Sequence, residues 1–324
     1  MTHNKILVSE GMGYIGSHAL KRLNDAGKKA IILDNLSTSE PTPLNPMNEL
    51  IVGDIRDYSL IADLAEKHRF DAVMHFAALI DVEESMRRPI DYYVNNVLGS
   101  LNLLQVCADF CIDKFVFSSS AAVYGNPSSA EAVKESSPAK PISPYGRSKL
   151  MFEQALADAT AQGISSVSLR YFNAVGTHLD YPGKRHPHMI PIAVRHLLDG
   201  KRFIINGTDY PTKDGTCVRD YVHVSDLAEA HLSALDVLNK KREKAEAKVY
   251  NLGTGEGYSV LEVVHELEKQ SKKKMSCKFG QRRDGDPASL TANSSLAARE
   301  LGWVPHFDLE RIVRNELEYA RRQK

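Results

Sequence analysis

Short apolar runs alternate with longer stretches of helical period along the first half of the chain. The runs at residues 5–9, 30–33, 49–52, 72–75, 115–118 and 166–169 are bounded by Gly, Asp or Ser and predict strands. Residues 14–25, 60–67, 94–110 and 144–161 carry the apolar spacing of helices. Regular alternation of the two predicts βαβ units and a parallel sheet covered by helices on both faces. The pattern changes after about residue 172. Residues 173–190 are rich in Gly, Pro and His and read as an extended loop. Beyond them, short strands mix with helices at 188–198, 225–238, 259–268 and 309–321. The run 240–248 carries charges of both signs and reads as a solvated helix end.

A length of 324 residues suits two domains of about 150 residues each. The change of pattern divides them at 1–175 and 176–324, with the segment near 216–240 expected to pack back on the first. Lys+Arg and Asp+Glu each number 41, so the net charge is zero. Phosphate-backbone binding would favour a basic chain, and acidic disorder a strongly negative one. The four cysteines, Cys107, Cys111, Cys217 and Cys277, form no CxxC pair. Cys107 and Cys111 share a helix face and read as small buried apolar residues. No metal site is expected. No basic leader precedes a long apolar segment, and no apolar run approaches the roughly 18 residues of a membrane span. The expected location is the cytoplasm, with neither membrane nor nucleic acid as a partner.

The first strand runs into Glu10-Gly11-Met12-Gly13-Tyr14-Ile15-Gly16. Gly11, Gly13 and Gly16 satisfy G-x-G-x-x-G, which lets a backbone turn tightly against a pyrophosphate at a helix N-terminus. The string follows a strand-like run and opens a helical one, the context a dinucleotide loop needs. Asp34 ends the second strand-like run, where a carboxylate accepts from the adenosine ribose. It would repel a 2′-phosphate, and no Arg or Lys follows closely, so NAD is favoured over NADP. The plainer reading of Asp34 is a turn cap. The expected fold class is α/β: a Rossmann-type doubly wound parallel sheet with a smaller mixed α/β C-terminal substrate domain.

Ser118-Ser119-Ser120 end the fifth strand-like run, and Tyr145-Gly146-Arg147-Ser148-Lys149 follow downstream. Tyr145 and Lys149 are spaced to stack on one helix face. A phenol near pKa 10 is a poor base at neutral pH. A nearby ammonium and a cationic nicotinamide both favour its ionised form, and Ser120 is placed to bond the same substrate oxygen.

Taken together, these strings resemble the extended short-chain dehydrogenase/reductases, most closely the UDP-glucose 4-epimerase family among them. The resemblance covers nearly the whole chain. It is carried by 11–18 (GMGYIGSH), 33–36 (LDNL), 53–56 (GDIR), 75–77 (HFA), 92–96 (YYVNN), 118–125 (SSSAAVYG), 144–149 (PYGRSK) and 169–176 (LRYFNAVG). It continues through 209–212 (DYPT), 218–224 (VRDYVHV), 250–253 (YNLG), 282–287 (RRDGDP) and 301–303 (LGW). The resemblance implies interconversion of UDP-glucose and UDP-galactose by transient oxidation at sugar C4, with Ser120, Tyr145 and Lys149 as the catalytic group. Tyr14, Ile15, Asp34, Asn35, Asp54, Ile55, Phe76, Ala77, Asn95, Lys149 and Phe172 match cofactor-contacting positions. Asn173, Arg219, Arg283 and Asp286 match positions that hold UDP, and His188 lies in the loop that closes on it. Leu290 matches the position that gauges the sugar's 2-substituent. A homodimer paired through helices of the NAD domain is also implied. Without the family, Arg219 reads as an ion-pair residue and Asp286 as a turn residue.

The alternatives are a 4-epimerase or decarboxylase of another UDP-sugar, and a non-catalytic NAD-binding regulator. A 4,6-dehydratase would need acidic groups where Ala121 and Ala122 stand. The main departure from the family is Glu10, which replaces the first glycine of the family's G-x-x-G-x-x-G. Its bulk and charge lead to the expectation of weaker NAD retention, unless the side chain points to solvent.

Overall fold

The computed structural model describes residues 5–41, 44–127, 131–177, 188–240, 243–282 and 286–323. In chain order the first strands are β1 (Lys5–Ser9), β2 (Lys29–Asp34), β3 (Glu49–Val52), β4 (Ala72–His75), β5 (Lys114–Ser120), β6 (Ser165–Tyr171) and β7 (Asn173–Val175). They are followed by β8 (Phe203–Asn206), β9 (Val218–His223), β10 (Ala247–Leu252), β11 (Gly257–Ser259), β12 (Cys277–Gly280) and β13 (Ser289–Leu290). The main sheet has seven strands in the order β10-β6-β5-β4-β1-β2-β3, all parallel. Its order reverses between β1 and β4, which opens a crevice at the carboxyl ends of those strands.

The helices are α1 (Tyr14–Asp25), α2 (Tyr58–His68), α3 (Val82–Arg87), α4 (Pro89–Tyr93), α5 (Gly99–Asp109) and α6 (Pro144–Asp158). Later come α7 (Met189–Asp199), α8 (Val224–Leu238), α9 (Val260–Ser271), α10 (Ser295–Leu301) and α11 (Leu309–Arg322). Strand side chains alternate between two cores. Ile6 and Val8 pack with Leu20 and Leu23 of α1 and with Leu227 and Leu235 of α8. Leu7 and Ile31 face the other way, onto Leu64, Leu103 and Phe152 of α2, α5 and α6. A third core gathers α7, α9 and α11 around Tyr221. There β9 pairs with β7 and β13 in parallel and with β11 antiparallel.

Four expectations change. Cys107 is buried on α5 as expected, but Cys111 lies beyond the end of that helix with a φ of 54° and is exposed, so the two do not form a buried pair on one face. Residues 94–110 are not one α-helix: Val94–Leu98 form a π-helical turn ahead of α5. The charged run at 240–248 is not a helix end. Helix α8 stops at Leu238, and Ala247 and Lys248 already belong to β10, where Lys248 bonds Glu300. The loop expected at 173–190 begins with β7 and ends in α7, while its centre lies outside the described residues. Among the described residues, no helix is long and apolar enough to cross a membrane.

Candidate active site

The turn after β1 is crowded. A Cβ on Gly16 would lie 2.1 Å from the Glu10 carbonyl oxygen, so only glycine lets α1 start this close to the strand. Asp34, at the end of β2, is buried and braces this turn. Its Oδ2 accepts the Met12 N–H at 2.9 Å, and its Oδ1 accepts the Leu36 N–H at 2.9 Å and the Ser39 hydroxyl at 3.1 Å. The turn-cap reading of Asp34 is therefore met. A carboxylate has about four acceptor sites, so one is left for a ligand hydroxyl.

Glu10, Asp34, Asn35, Ile55, Ala77 and Asn95 line one groove beside the glycine turn. Asp54 lies at its outer edge. The Arg56 guanidinium and Asn35 amide bond its carboxylate, and Arg56 holds it well below the usual carboxylate range. Phe76 sits deeper, 4.7 Å from the His231 ring. The Phe76–Ala77 segment is held by Ser9, whose hydroxyl accepts both N–H groups at 3.1 and 3.3 Å. His75 fixes that hydroxyl at 2.7 Å, and burial keeps its imidazole neutral. Tyr14 donates to the Gly176 carbonyl at 2.5 Å, while Ile15 packs on the α1 side of the core. These residues fit a dinucleotide: a tight glycine turn, a spare ribose acceptor and apolar walls. Glu10 alone stands in its way. It does not point to solvent, because its Oε2 accepts the Ala78 N–H at 3.0 Å across the groove.

Helix α6 brings Tyr145 and Lys149 to the end of β5. Ser143 caps it, accepting the Gly146 N–H at 3.1 Å, and Pro144 takes the first turn. Lys149 is buried, donates to the Ser118 carbonyl at 2.9 Å and lies 6.0 Å from the Tyr145 ring centre. Burial pushes its ammonium down to about 8, against the raising effect of Glu10 and Glu153. Tyr145 corrects an expectation. Burial pushes its phenol up; the Ser120 hydroxyl pulls it down, and the Glu10 charge pushes it up again. Lys149 alone therefore does not lower it.

On the other side of the crevice, Arg219 of β9 donates to the carbonyls of Val218 and Pro287 at 2.8 and 2.7 Å. Its Nη2 lies 3.2 Å from Asp286 Oδ1, the ion pair that the plainer reading expected. That nitrogen has no hydrogen-bond partner among the described residues, so donor capacity remains. Leu290 is the β13 residue opposite Arg219, and it packs with Ala121, Tyr124 and Phe172 beside the Ser120 turn. Phe172 thus belongs to this apolar cluster. Asn173 of β7 lies opposite Tyr221 of β9, and His188 precedes α7 with its ring 6.5 Å from Tyr14. Arg283 lies outside the described residues.

Two features escaped the sequence reading. Asn96, in the π-helical turn, bonds the N–H and C=O of Leu79 at 2.8 and 2.9 Å and the Ser148 hydroxyl at 3.1 Å. It ties the groove wall to α6. Adjacent asparagines in an apolar helical stretch were the available signal, and π-turns recur at functional sites. The second is a buried ion pair between Glu153 of α6 and Arg170 of β6, at 3.0 Å from Nε to Oε1. Glu153 lies one turn beyond Lys149, so the pair pins the helix that carries Tyr145.

Residues 6–253 match the NAD dependent epimerase/dehydratase family. A UDP-glucose 4-epimerase of Azospirillum brasilense is 47% identical over 98% of this chain and 92% of its own. That of Rhizobium meliloti is 44% identical over 97% and 96%. Among solved structures, a UDP-glucose 4-epimerase of Stenotrophomonas maltophila with bound NAD and formylated UDP-arabinopyranose has a TM-score of 0.91 at 39% identity, covering 98% of each chain. One of Bifidobacterium longum with NAD+ and UDP has a TM-score of 0.90 at 36% identity, again covering 98% of each. With a seven-stranded parallel sheet, a glycine turn braced by an aspartate and a Ser, Tyr and Lys group at one crevice, the chain belongs to the NAD dependent epimerase/dehydratase family.

Proposed function

We propose that the protein interconverts UDP-glucose and UDP-galactose. The observation that carries this reading is the meeting of Tyr145 with Ser120 and Lys149, both Tyr145 and Lys149 feeling the charge of Glu10 in the groove that Asp34 and Asn95 line. The curated relatives are UDP-glucose 4-epimerases at this level of identity, which supports the same substrates here. Residues 1–175, joined by α8 and β10, bind NAD, and the remainder of 176–324 binds the UDP-sugar. When bound, NAD supplies a hydride acceptor for sugar C4 and a hydride donor for the return. Asp34, Asn95 and Lys149 would hold it in the groove.

Tyr145 takes the proton of the sugar 4-hydroxyl and gives it back after the ring has turned over. Ser120 orients that oxygen. Its bond to Tyr145 favours the ionised phenol, which a cationic nicotinamide favours further. Arg219, Arg283 and Asn173 grip UDP, and Asp286 accepts from its ribose. Binding energy is then placed away from the reacting carbon, so the sugar turns while its handle stays fixed. Leu290 walls the sugar space, and Phe172 packs beside it as a cofactor contact. His188 closes over UDP from the start of α7.

Purified protein supplied with NAD+ and UDP-galactose is expected to form UDP-glucose, followed by proton NMR. No UDP-glucose, with turnover of a different UDP-sugar or of none, refutes the reading in favour of the alternative epimerase, decarboxylase or regulator. A homodimer accompanies this function. Met86, Ile90, Val94, Leu98, Leu101 and Met151 are exposed apolar side chains on α3, α4, the π-helical turn, α5 and α6, and a second copy would cover them. Light scattering at the monomer mass would refute it. The four free thiols suit a reducing cytoplasm.

A further inference from the structure

Glu10 is the residue of the groove that the reaction does not use. Its φ of 55° is left-handed, a conformation that favours glycine. The backbone there is held tightly. Its N–H donates to the Leu33 carbonyl at 2.8 Å, and its carbonyl accepts the Gly13 N–H at 3.2 Å. From this fixed base the side chain crosses the groove. Oε2 takes the Ala78 N–H at 3.0 Å, and Oε1 lies 2.6 Å from where a Cβ on Gly13 would stand. The carboxylate therefore bridges the two walls of the groove, the glycine turn on one side and the segment after β4 on the other.

Glycine turns of this kind serve a pyrophosphate because the backbone comes close and the helix N-terminus favours negative charge. Glu10 fills the space that Gly13 leaves open, and above about pH 8, where it ionises despite its burial, it adds a negative charge at that end of α1. Two carboxylates, Glu10 and Asp34, then share the groove, with Lys149 as the cation that faces Glu10. A dinucleotide entering this groove meets a group that already occupies the close-approach position.

We propose that Glu10 is an internal competitor for the cofactor: its carboxylate must leave the Ala78 N–H before NAD seats, so NAD exchanges with solution instead of staying with the protein through purification. This rests on the reading of the groove as the NAD site. It goes further by assigning the competition to one named side chain and one backbone donor.

The test is calorimetric titration of NAD+ into cofactor-stripped full-length protein at a pH above 8, where Glu10 is charged, alongside assay of the NAD that co-purifies. Wild type is expected to co-purify with NAD well below one per chain. Glu10→Gly is expected to bind NAD+ about 10- to 100-fold more tightly, the equivalent of one charge-assisted hydrogen bond no longer in competition, and to co-purify with it. Glu10→Gln keeps the length and removes the charge, so it is expected to recover part of that gain. Equal dissociation constants in wild type and Glu10→Gly, with both proteins binding, overturn the proposal and leave the groove as the NAD site. A gain in Glu10→Gly with none in Glu10→Gln overturns the role of the charge. No binding by any of the three overturns the proposal together with the reading of the groove. Unliganded melting curves for the three report whether each is folded.

Discussion

Replacing Tyr145 by Phe removes one oxygen from a side chain that is 7% exposed. The structure sets the two consequences apart. For stability, the loss is small. The phenol has been desolvated at a cost, and its partner Ser120 keeps a second bond, accepting the Ala122 N–H at 3.1 Å. One net hydrogen bond of about 1 kcal/mol, offset by the relieved desolvation, moves the melting temperature by no more than about 2–4 °C. For turnover, the loss is large. A positioned acid–base group is worth about 10²–10⁴ in rate, or roughly 3–5 kcal/mol of barrier at 1.36 kcal/mol per decade. The assay is conversion of UDP-galactose to UDP-glucose at saturating NAD+, with UDP binding measured by calorimetry on the same preparation. The expected result is turnover down by at least about a hundredfold with UDP affinity unchanged. Turnover within about tenfold of wild type would refute the acid–base role. Loss of turnover together with UDP binding and a melting temperature lower by more than about 10 °C would make Tyr145 a structural residue instead.

NAD+ affinity is expected to weaken as pH rises through about 8. Glu10, raised to about 8 chiefly by burial, is neutral below that value and charged above it. Lys149, lowered to about 8, is an ammonium below and neutral above. Both changes act against the cofactor in the same direction, in a groove that Asp34, Tyr145 and Tyr171 also face; Glu10→Gln should roughly halve the slope, and a flat profile in wild type would be contrary. Removing Glu153 leaves Arg170 buried and unpaired, so Glu153→Ala should lose about 3–5 kcal/mol. Its melting temperature should fall by on the order of 10 °C, and Arg170→Met in the same chain should restore part of it; an unchanged melting curve would contradict the pinning of α6. If Arg219 grips the part of the substrate that does not react, as proposed, Arg219→Met should raise KM for the UDP-sugar about 10- to 100-fold with kcat little changed. A fall in kcat alone would place Arg219 in the chemistry.

The parallel sheet was legible because its strands are buried on both faces, and β1, β3 and β4 have the bounds their apolar runs predicted. The glycine turn and Asp34 were legible as local chemistry. What escaped was long-range. Residues 94–110 are apolar enough for one helix, and nothing in their spacing announces a π-turn that swings Asn95 to the groove and Asn96 to Leu79. Glu153 and Arg170 read as ordinary surface charges until α6 folds onto β6. The described residues of the run at 240–248 are largely solvated as their charges suggest, but charge pattern does not record that the last of them join β10, which is recruited by its backbone bonds to β6. Tyr145 and Lys149 were placed correctly on one helix face. Their burial, which decides the direction of both pKa shifts, has no local signature.

The last strand of the main sheet has a consequence for how this gene can be cut and recombined. β10 lies in register along β6, with Ala247 opposite Ser166 and Leu252 opposite Tyr171, yet nearly a quarter of the chain has passed between them. A gene fragment ending near residue 176 would keep β6 and lose both β10 and the α8 face that covers it. It would then present an open apolar edge, the template on which sheets of neighbouring molecules add. Productive crossover points in a shuffled library therefore fall in surface turns that leave β6, β10 and α8 inherited together. The change of pattern near residue 172 is therefore no place to divide the coding sequence.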